Sequence, residues 1–352
     1  MKQKIENKEE IMAVTIRDVA ALAKVSPSTV SRVCKDHPSI SKETKEKVRR
    51  AMTQLGYEYS VQPGESECKI SRTMGIILPP STRQTYENPF YLEAIRGISQ
   101  FCNSHKYTSI IVTGQNNEEI LEAVRSIVKN NQADGFIMLY SKEDDKIVDY
   151  LYNEGITYVL IGKAKQNANQ TIYIDNDNIL AGLEATEYLY KLGHRKIAYL
   201  GSESIKVFSA DRKTGYHSAL LKYDLPVDKR YIIEVDDAYL DESEPLIEML
   251  RMEDHPTAIV VSDDILAVSL ERVCIQCGLS IPEDVSIISF NDSLFAKLTH
   301  PPLTSVDVNS FQLGIEAASQ LINHIENPNL MATKIIVPHS IVKRESCKCF
   351  EG

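Results

Sequence analysis

Ser26, Pro27, Ser28, Thr29, Ser31 and Arg32 concentrate four small hydroxyls and one guanidinium within seven residues. If this stretch is helical, Val30 and Val33 take the buried spacing, and Ser28, Thr29 and Arg32 share the opposite side at i, i+1 and i+4. An Arg can bond guanine through two parallel hydrogen bonds, and Ser and Thr can reach base edges or phosphate oxygens, so such a side suits a major groove. The same pattern also fits a small helical bundle with a solvated basic face, or a protein-interaction module.

A second group of polar residues follows β-branched apolar runs. AIVVSD ends in Ser262 and Asp263, with Asp264 next, and VSIISFN ends in Asn291, with Asp292 after it. A third run, KIAYLG, is followed by a loop and then by Asp211, Arg212 and Lys213 at the opening of a helical pattern. Polar groups just past the carboxyl ends of parallel strands are where open α/β sheets bind ligands. Each also has a plainer reading: Asp263 or Asp264 can cap the following helix, and Arg212 can be a surface cation. No GxSxG, HExxH or phosphate-binding GxxxxGK[ST] occurs and the eight His are scattered, so neither an enzyme nor a cofactor is expected. The seven Cys are an odd number spread along the chain. The one CxxC, Cys274 and Cys277, lies in a helical stretch without a second ligand pair, so no metal is expected either.

The elements that must position these residues can be read from periodicity. Thr15 is a natural cap for a helix that buries Ile16, Val19, Ala20 and Ala23. After a turn at Lys24 and Val25, Ser26 caps a second helix with Pro27 at its first position. Ser41 caps a third helix, which buries Val48, Ala51, Met52 and Leu55. From Met74 onward, MGIILP, YTSIIVTG, DGFIMLY and TYVLIG read as parallel strands alternating with helices, and KIAYLG, YIIEV, AIVVSD and VSIISFN repeat the rhythm. That alternation predicts an α/β fold of two doubly wound lobes with a ligand cleft between them. KIIVPHSIVKRES reads as a last strand. The net charge of −10 divides unevenly: residues 1–60 hold 12 Lys+Arg against 8 Asp+Glu, and the remainder holds 27 against 41. A basic N-terminal unit on an acidic body is expected if only the first meets phosphate. No apolar run approaches the ~20 residues of a membrane span, and nothing resembles a signal peptide, so no membrane partner and a cytoplasmic location are expected.

VTIRDVAALAKVSPSTVSRV followed by SKETKEKVRRAMTQLGY resembles the headpiece of the LacI/GalR family of bacterial transcription regulators, and the resemblance continues almost to the C-terminus. It implies a three-helix helix-turn-helix headpiece at 14–60, a linker at 61–73 and a periplasmic-binding-protein-like core at 74–346. Lobe 1 is expected at about 74–162 plus 304–325, and lobe 2 at about 163–303 plus 326–346. By resemblance Thr15, Ser26 and Ser31 would hold phosphates, and Pro27, Ser28 and Arg32 would read bases. In the core, NPFYLEAIRGI would place Phe90 and Tyr91 over an effector, RKTGY would supply Arg212, VSDD would supply Asp263, and SFND would put Asn291 where many members have an Asp. The implied partners are a near-palindromic double-stranded DNA operator, a mono- or disaccharide effector and a second copy of the chain. No C-terminal heptads suggest a tetramer. LIGK, YIDNDN and NPFY are most similar to regulators of maltose and α-glucoside genes; a global catabolite regulator answering to a phosphorylated carrier protein is the alternative. A solute-binding protein is disfavoured by the basic headpiece. YIDNDN, with Asp175 and Asp177, reads as structural turns. Two departures stand out: Lys24 where the family usually has Gly, and a linker without the family's Pro-Asn opening or wedging Leu.

Overall fold

The computed structural model describes residues 14–34, 40–57, 71–80, 88–165, 167–202, 207–235 and 243–350. The expectations for the linker from residue 58 to residue 70 therefore lie outside the described residues.

The headpiece consists of α1 (Ile16–Ala23), α2 (Pro27–Cys34) and α3 (Lys42–Leu55) around Val19, Val30 and Val48, which are fully buried. At the start of α1 the Thr15 amide donates to the Asp18 carboxylate at 2.8 Å. The Ser26 hydroxyl accepts from the Thr29 amide at 3.1 Å, and the Ser41 hydroxyl from the Thr44 amide at 3.2 Å, so both expected caps form. Lys24 adopts the left-handed conformation (φ 52, ψ 47), which a side chain makes unfavourable by ~1–2 kcal/mol. In return the turn lets the Val25 amide reach the Ala20 carbonyl at 3.1 Å, which ends α1 sharply.

Beyond the headpiece, the described residues form two sheets of six strands. The first runs β11 (Lys334–Ile336), β5 (Ile172–Asp175), β4 (Tyr158–Ile161), β3 (Gly135–Met138), β1 (Thr73–Ile77), β2 (Thr108–Val112), all parallel. The second runs β12 (Ser340–Val342), β10 (Thr304–Asp307), β9 (Ser286–Phe290), β8 (Ala258–Val261), β6 (Ile197–Ser202), β7 (Ile232–Val235), parallel except for β12. In lobe 1, α4 (Pro89–Ser104) and α12 (Ser310–Glu326) cover one face, and α5 (Asn117–Lys129) and α6 (Lys146–Asn153) cover the other. Neighbouring residues of β1 accordingly point into different cores, Ile76 into the first and Ile77 into the second, because side chains alternate across a strand. Lobe 2 repeats the plan, with α7 (Asn178–Lys191) and α8 (Val207–Lys222) on one side, and α9 (Glu244–Arg251), α10 (Asp264–Gln276) and the short α11 (Leu294–Leu298) on the other.

The pairing corrects three expected lobe assignments. β5 lies in lobe 1 beside β4, β10 lies in lobe 2 beside β9, and the expected single last strand is two, β11 in the first sheet and β12 in the second. Pro338 stands between them, at the point where the chain passes from the edge of one sheet to the edge of the other, a place where a residue that cannot donate is tolerated. The chain thus crosses between lobes just after β5, β10 and β11. The buried Asn176 joins the three crossings: its amide donates to the Val308 carbonyl at 3.0 Å and to the Val337 carbonyl at 2.8 Å. Asn176→Ala leaves two buried carbonyls without this donor and is expected to destabilise the core by about 2–4 kcal/mol, read as a lowered urea midpoint. An unchanged midpoint would show that water replaces the amide.

Glu271 on α10 is buried with its Oε1 unpartnered among the described residues, and burial pushes its carboxyl up to about 7. A carboxyl whose folded value exceeds its unfolded one binds protons more readily when folded. Its contribution is therefore most favourable below the unfolded value near 4.5 and is lost as pH rises toward 7. Glu271→Gln is expected to raise the melting temperature at pH 8 by several degrees, a gain of about 1–2 kcal/mol that fades by pH 5. A gain independent of pH would point to packing instead.

Candidate functional site

Between the carboxyl ends of the two sheets lies a cavity of about 400 Å³, and all five residues expected to meet an effector, Phe90, Tyr91, Arg212, Asp263 and Asn291, line it. Asn88 caps α4 by accepting from the Phe90 amide at 3.0 Å, which fixes Phe90 and Tyr91 in the first turn. Their rings meet edge to face, 5.5 Å apart, giving the cleft an apolar wall from lobe 1.

Arg212 enters from α8 in lobe 2 and is buried, so the surface-cation reading is excluded. Its Nε donates to Asn178 Oδ1 at 2.9 Å and its Nη1 to the Ser262 carbonyl at 2.5 Å. The guanidinium lies 4.3 Å from the Phe290 ring centre and 5.0 Å from that of Phe208. Burial lowers its value to about 10, which still leaves it cationic at neutral pH. Close approach of α7 and α8 sets this position: a Cβ on Gly182 would stand 2.2 Å from the Arg212 carbonyl oxygen, so only Gly fits.

Asp263 both caps a helix and faces the cavity: its carboxylate accepts from the Leu266 amide at 2.9 Å at the start of α10. Asp264 is purely internal, accepting from Ser289 at 2.5 Å, from Ser305 at 2.8 Å and from the Ser293 amide at 2.7 Å. Asn291 lines the cavity from the end of β9 with φ at 100, while the next residue, Asp292, is taken up by Arg344 at 2.5 Å and Lys297 at 3.4 Å.

The structure adds residues that the motif reading passed over. Asp175, read as part of a turn, ends β5 in the cavity wall. Burial pushes its carboxyl up to about 7, opposed by a hydrogen bond from the Asn176 backbone and by the charge of Arg212. It follows a β-branched run directly, so the rule that selected Asp263 and Asn291 also selects Asp175. Asn178, Phe208, Tyr140 and Lys163 line the same cavity. Lys163 of lobe 1 reaches Asp211 of lobe 2 at 3.2 Å, an ion pair across the cleft mouth. Among the described residues no cluster of His, Cys, Asp or Glu could hold a metal, and no helix is long and apolar enough to cross a membrane.

The expected DNA-reading residues are arranged differently from the expected solvent-facing side. Thr15 is exposed, Ser26, Pro27, Ser28 and Arg32 are partly covered, and Thr29 and Ser31 are buried. Ser26, Thr29 and Arg32 are covered because α2 rests on lobe 1. Ser26 donates to the Pro328 carbonyl at 2.8 Å, Thr29 to Asn329 Oδ1 at 3.1 Å, and Arg32 to the Ile325 carbonyl at 2.6 Å.

Comparison with known proteins agrees with both parts. Residues 15–60 match the family described as bacterial regulatory proteins, lacI family, and residues 186–347 match a periplasmic binding protein-like domain. The HTH-type transcriptional regulator MalR of Staphylococcus xylosus is 34% identical over 95% of this chain and 98% of its own. Catabolite control protein A of Priestia megaterium is 30% identical over 96% of this chain and 100% of its own. Among solved structures, that of the transcriptional regulator CelR with cellobiose superposes with a TM-score of 0.73 at 27% identity, covering 95% of this chain and 100% of that one. With a matching headpiece, two lobes and relatives alike from end to end, the chain belongs to the lacI family of DNA-binding bacterial transcription regulators.

Proposed function

We propose that this chain is a cytoplasmic homodimeric repressor of sugar-utilisation genes of the maltose or α-glucoside type, released from or held on its operator by a mono- or disaccharide bound between the lobes. The observation that carries this reading is the cleft itself: the buried guanidinium of Arg212, the carboxylates of Asp175 and Asp263 and the amides of Asn178 and Asn291 set around Phe90, Tyr91 and Phe208. Hydroxyl pairs of a sugar satisfy such groups, and its C–H faces pack on the rings. The similarity to MalR, and to CelR in its complex with cellobiose, supports the choice of sugar. In this reading Arg212, Asp263 and Asn291 hold hydroxyls, and Phe90 and Tyr91 pack against the ring. Thr15, Ser26 and Ser31 hold phosphates, while Pro27, Ser28, Thr29 and Arg32 meet bases. Two headpieces on a dimer read a near-palindrome, and ligand acts only through its different affinity for the two lobe arrangements.

Binding-site selection from random duplexes is the direct test of DNA reading, and a near-palindromic consensus is expected. Recovery of no consensus would contradict it. The carrier-protein alternative draws on the similarity to catabolite control protein A. It becomes the better reading if the selected duplex is bound tightly only when a phosphorylated carrier is added.

A further inference from the structure

We propose that lobe 1 carries a docking surface for the DNA-reading face of its own headpiece, so that operator and lobe compete for α2. The inference rests on the DNA-reading assignment of α2. The lobe's contribution is the C-terminal end of α12 and the loop that follows it. Ile325 lies in the last turn of this 17-residue helix, where carbonyls have no intrahelical partner and carry the negative end of the helix dipole. Arg32 donates to that carbonyl at 2.6 Å, Ser26 donates to the Pro328 carbonyl, and Thr29 donates to Asn329. Three residues suited to phosphate and base acceptors are thus all occupied by oxygen acceptors of the lobe. The helix end offers what DNA offers, a row of acceptors bearing partial negative charge.

Two further contacts make this a fitted surface. The guanidinium of Arg17 on α1 lies 3.4 Å from the centre of the Tyr152 ring at the end of α6. Gly155, left-handed at φ 64, lets the Pro27 carbonyl come so near that a Cβ would stand 2.5 Å from it. The fit is local, because a cavity of about 760 Å³ remains between headpiece and lobe, bordered by Arg17, Ser26, Tyr158, Asn169 and His324. Hydrogen bonds at a few points around an open space suit a contact that forms and releases.

The docked headpiece cannot bind DNA, so the observed operator affinity is the intrinsic one multiplied by the undocked fraction. Docking for about 80–90% of the time weakens binding about five- to tenfold. Tyr152→Ala/Asn329→Ala in the full chain removes two lobe-side partners and leaves every headpiece residue intact. Its affinity for the selected duplex is expected to rise about fivefold, and Asn329→Ala alone, on an exposed loop, should raise it about twofold. The chain has no Trp, so Tyr152→Trp is a lone reporter whose emission should change when saturating duplex removes Arg17 from its face. Unchanged affinity in both variants, or Trp emission unmoved by duplex that demonstrably binds, would overturn the docking. A Trp signal that depends on protein concentration before duplex is added would also overturn it, by placing the headpiece on another copy. Failure of the wild-type chain to bind any duplex would instead overturn the DNA-reading assignment.

Discussion

Arg212→Ala is expected to weaken sugar binding about 10- to 150-fold and to abolish the sugar's effect on operator binding, while duplex affinity without sugar stays within about threefold. The guanidinium is already aimed by Asn178, Ser262 and two aromatic faces, so little ordering cost falls on the ligand when it binds. A charge-assisted hydrogen bond in a cleft shielded from water contributes about 1.5–3 kcal/mol, and its loss also leaves Asp175 beside an uncompensated site. The variant should melt at a lower temperature, because the Ser262 carbonyl and the Asn178 amide oxygen lose their donor. Asn291→Gly is the companion measurement, since it removes the cleft amide while keeping a backbone at φ 100 that Ala would strain. Calorimetry on both variants separates ligand contact from stability. Sugar affinity unchanged in folded Arg212→Ala would remove Arg212 from the site.

Arg32→Ala should weaken specific duplex binding by about 1–3 kcal/mol per half-site, and by roughly twice that for a dimer on both halves. Preference at one symmetric base pair should relax, and the loss of base reading by itself should leave non-specific binding little changed. The contact that Arg32 makes with Ile325 adds a second effect of opposite sign, because the same substitution also loosens the docked headpiece. Specific and non-specific affinities must therefore be measured together. Docking shifts both equally, whereas base reading shifts only the first. A selection that returns an unchanged consensus for Arg32→Ala would end the base-reading role.

The headpiece was legible almost completely, because its signals are local. Caps at Thr15, Ser26 and Ser41 and the helical spacing of Val19, Val30 and Val48 depend only on neighbours within one turn. The cleft was legible through one rule, that polar residues ending parallel strands line the space between the lobes. It picks out Asp263 and Asn291, and it extends to Asp175, whose run of Asp and Asn has the composition of a turn and masks its place at the end of a strand. Strand existence was readable but lobe membership was not. β5 pairs with β4 and β10 with β9, their near neighbours in sequence, but nothing in their composition says at which strand the chain leaves a lobe; the crossings are tied together by Asn176 through carbonyls more than a hundred residues away. The burial of Thr29 lay beyond any periodicity. The apolar side of α2 faces its own bundle as expected, and only the three-dimensional placement of residues 325–329 covers the polar side.

The central claim is that one chain couples sugar in the interlobe cleft to DNA held by the headpiece. It is tested most directly by fluorescence anisotropy of the selected duplex, titrated with full-length protein at fixed salt, with and without saturating maltose or a related disaccharide. The account predicts that at least one such sugar shifts the duplex dissociation constant by about tenfold or more, within the range of ordinary allosteric coupling, and that Arg212→Ala removes the shift. Duplex affinity identical in the presence of every mono- and disaccharide tested would contradict it.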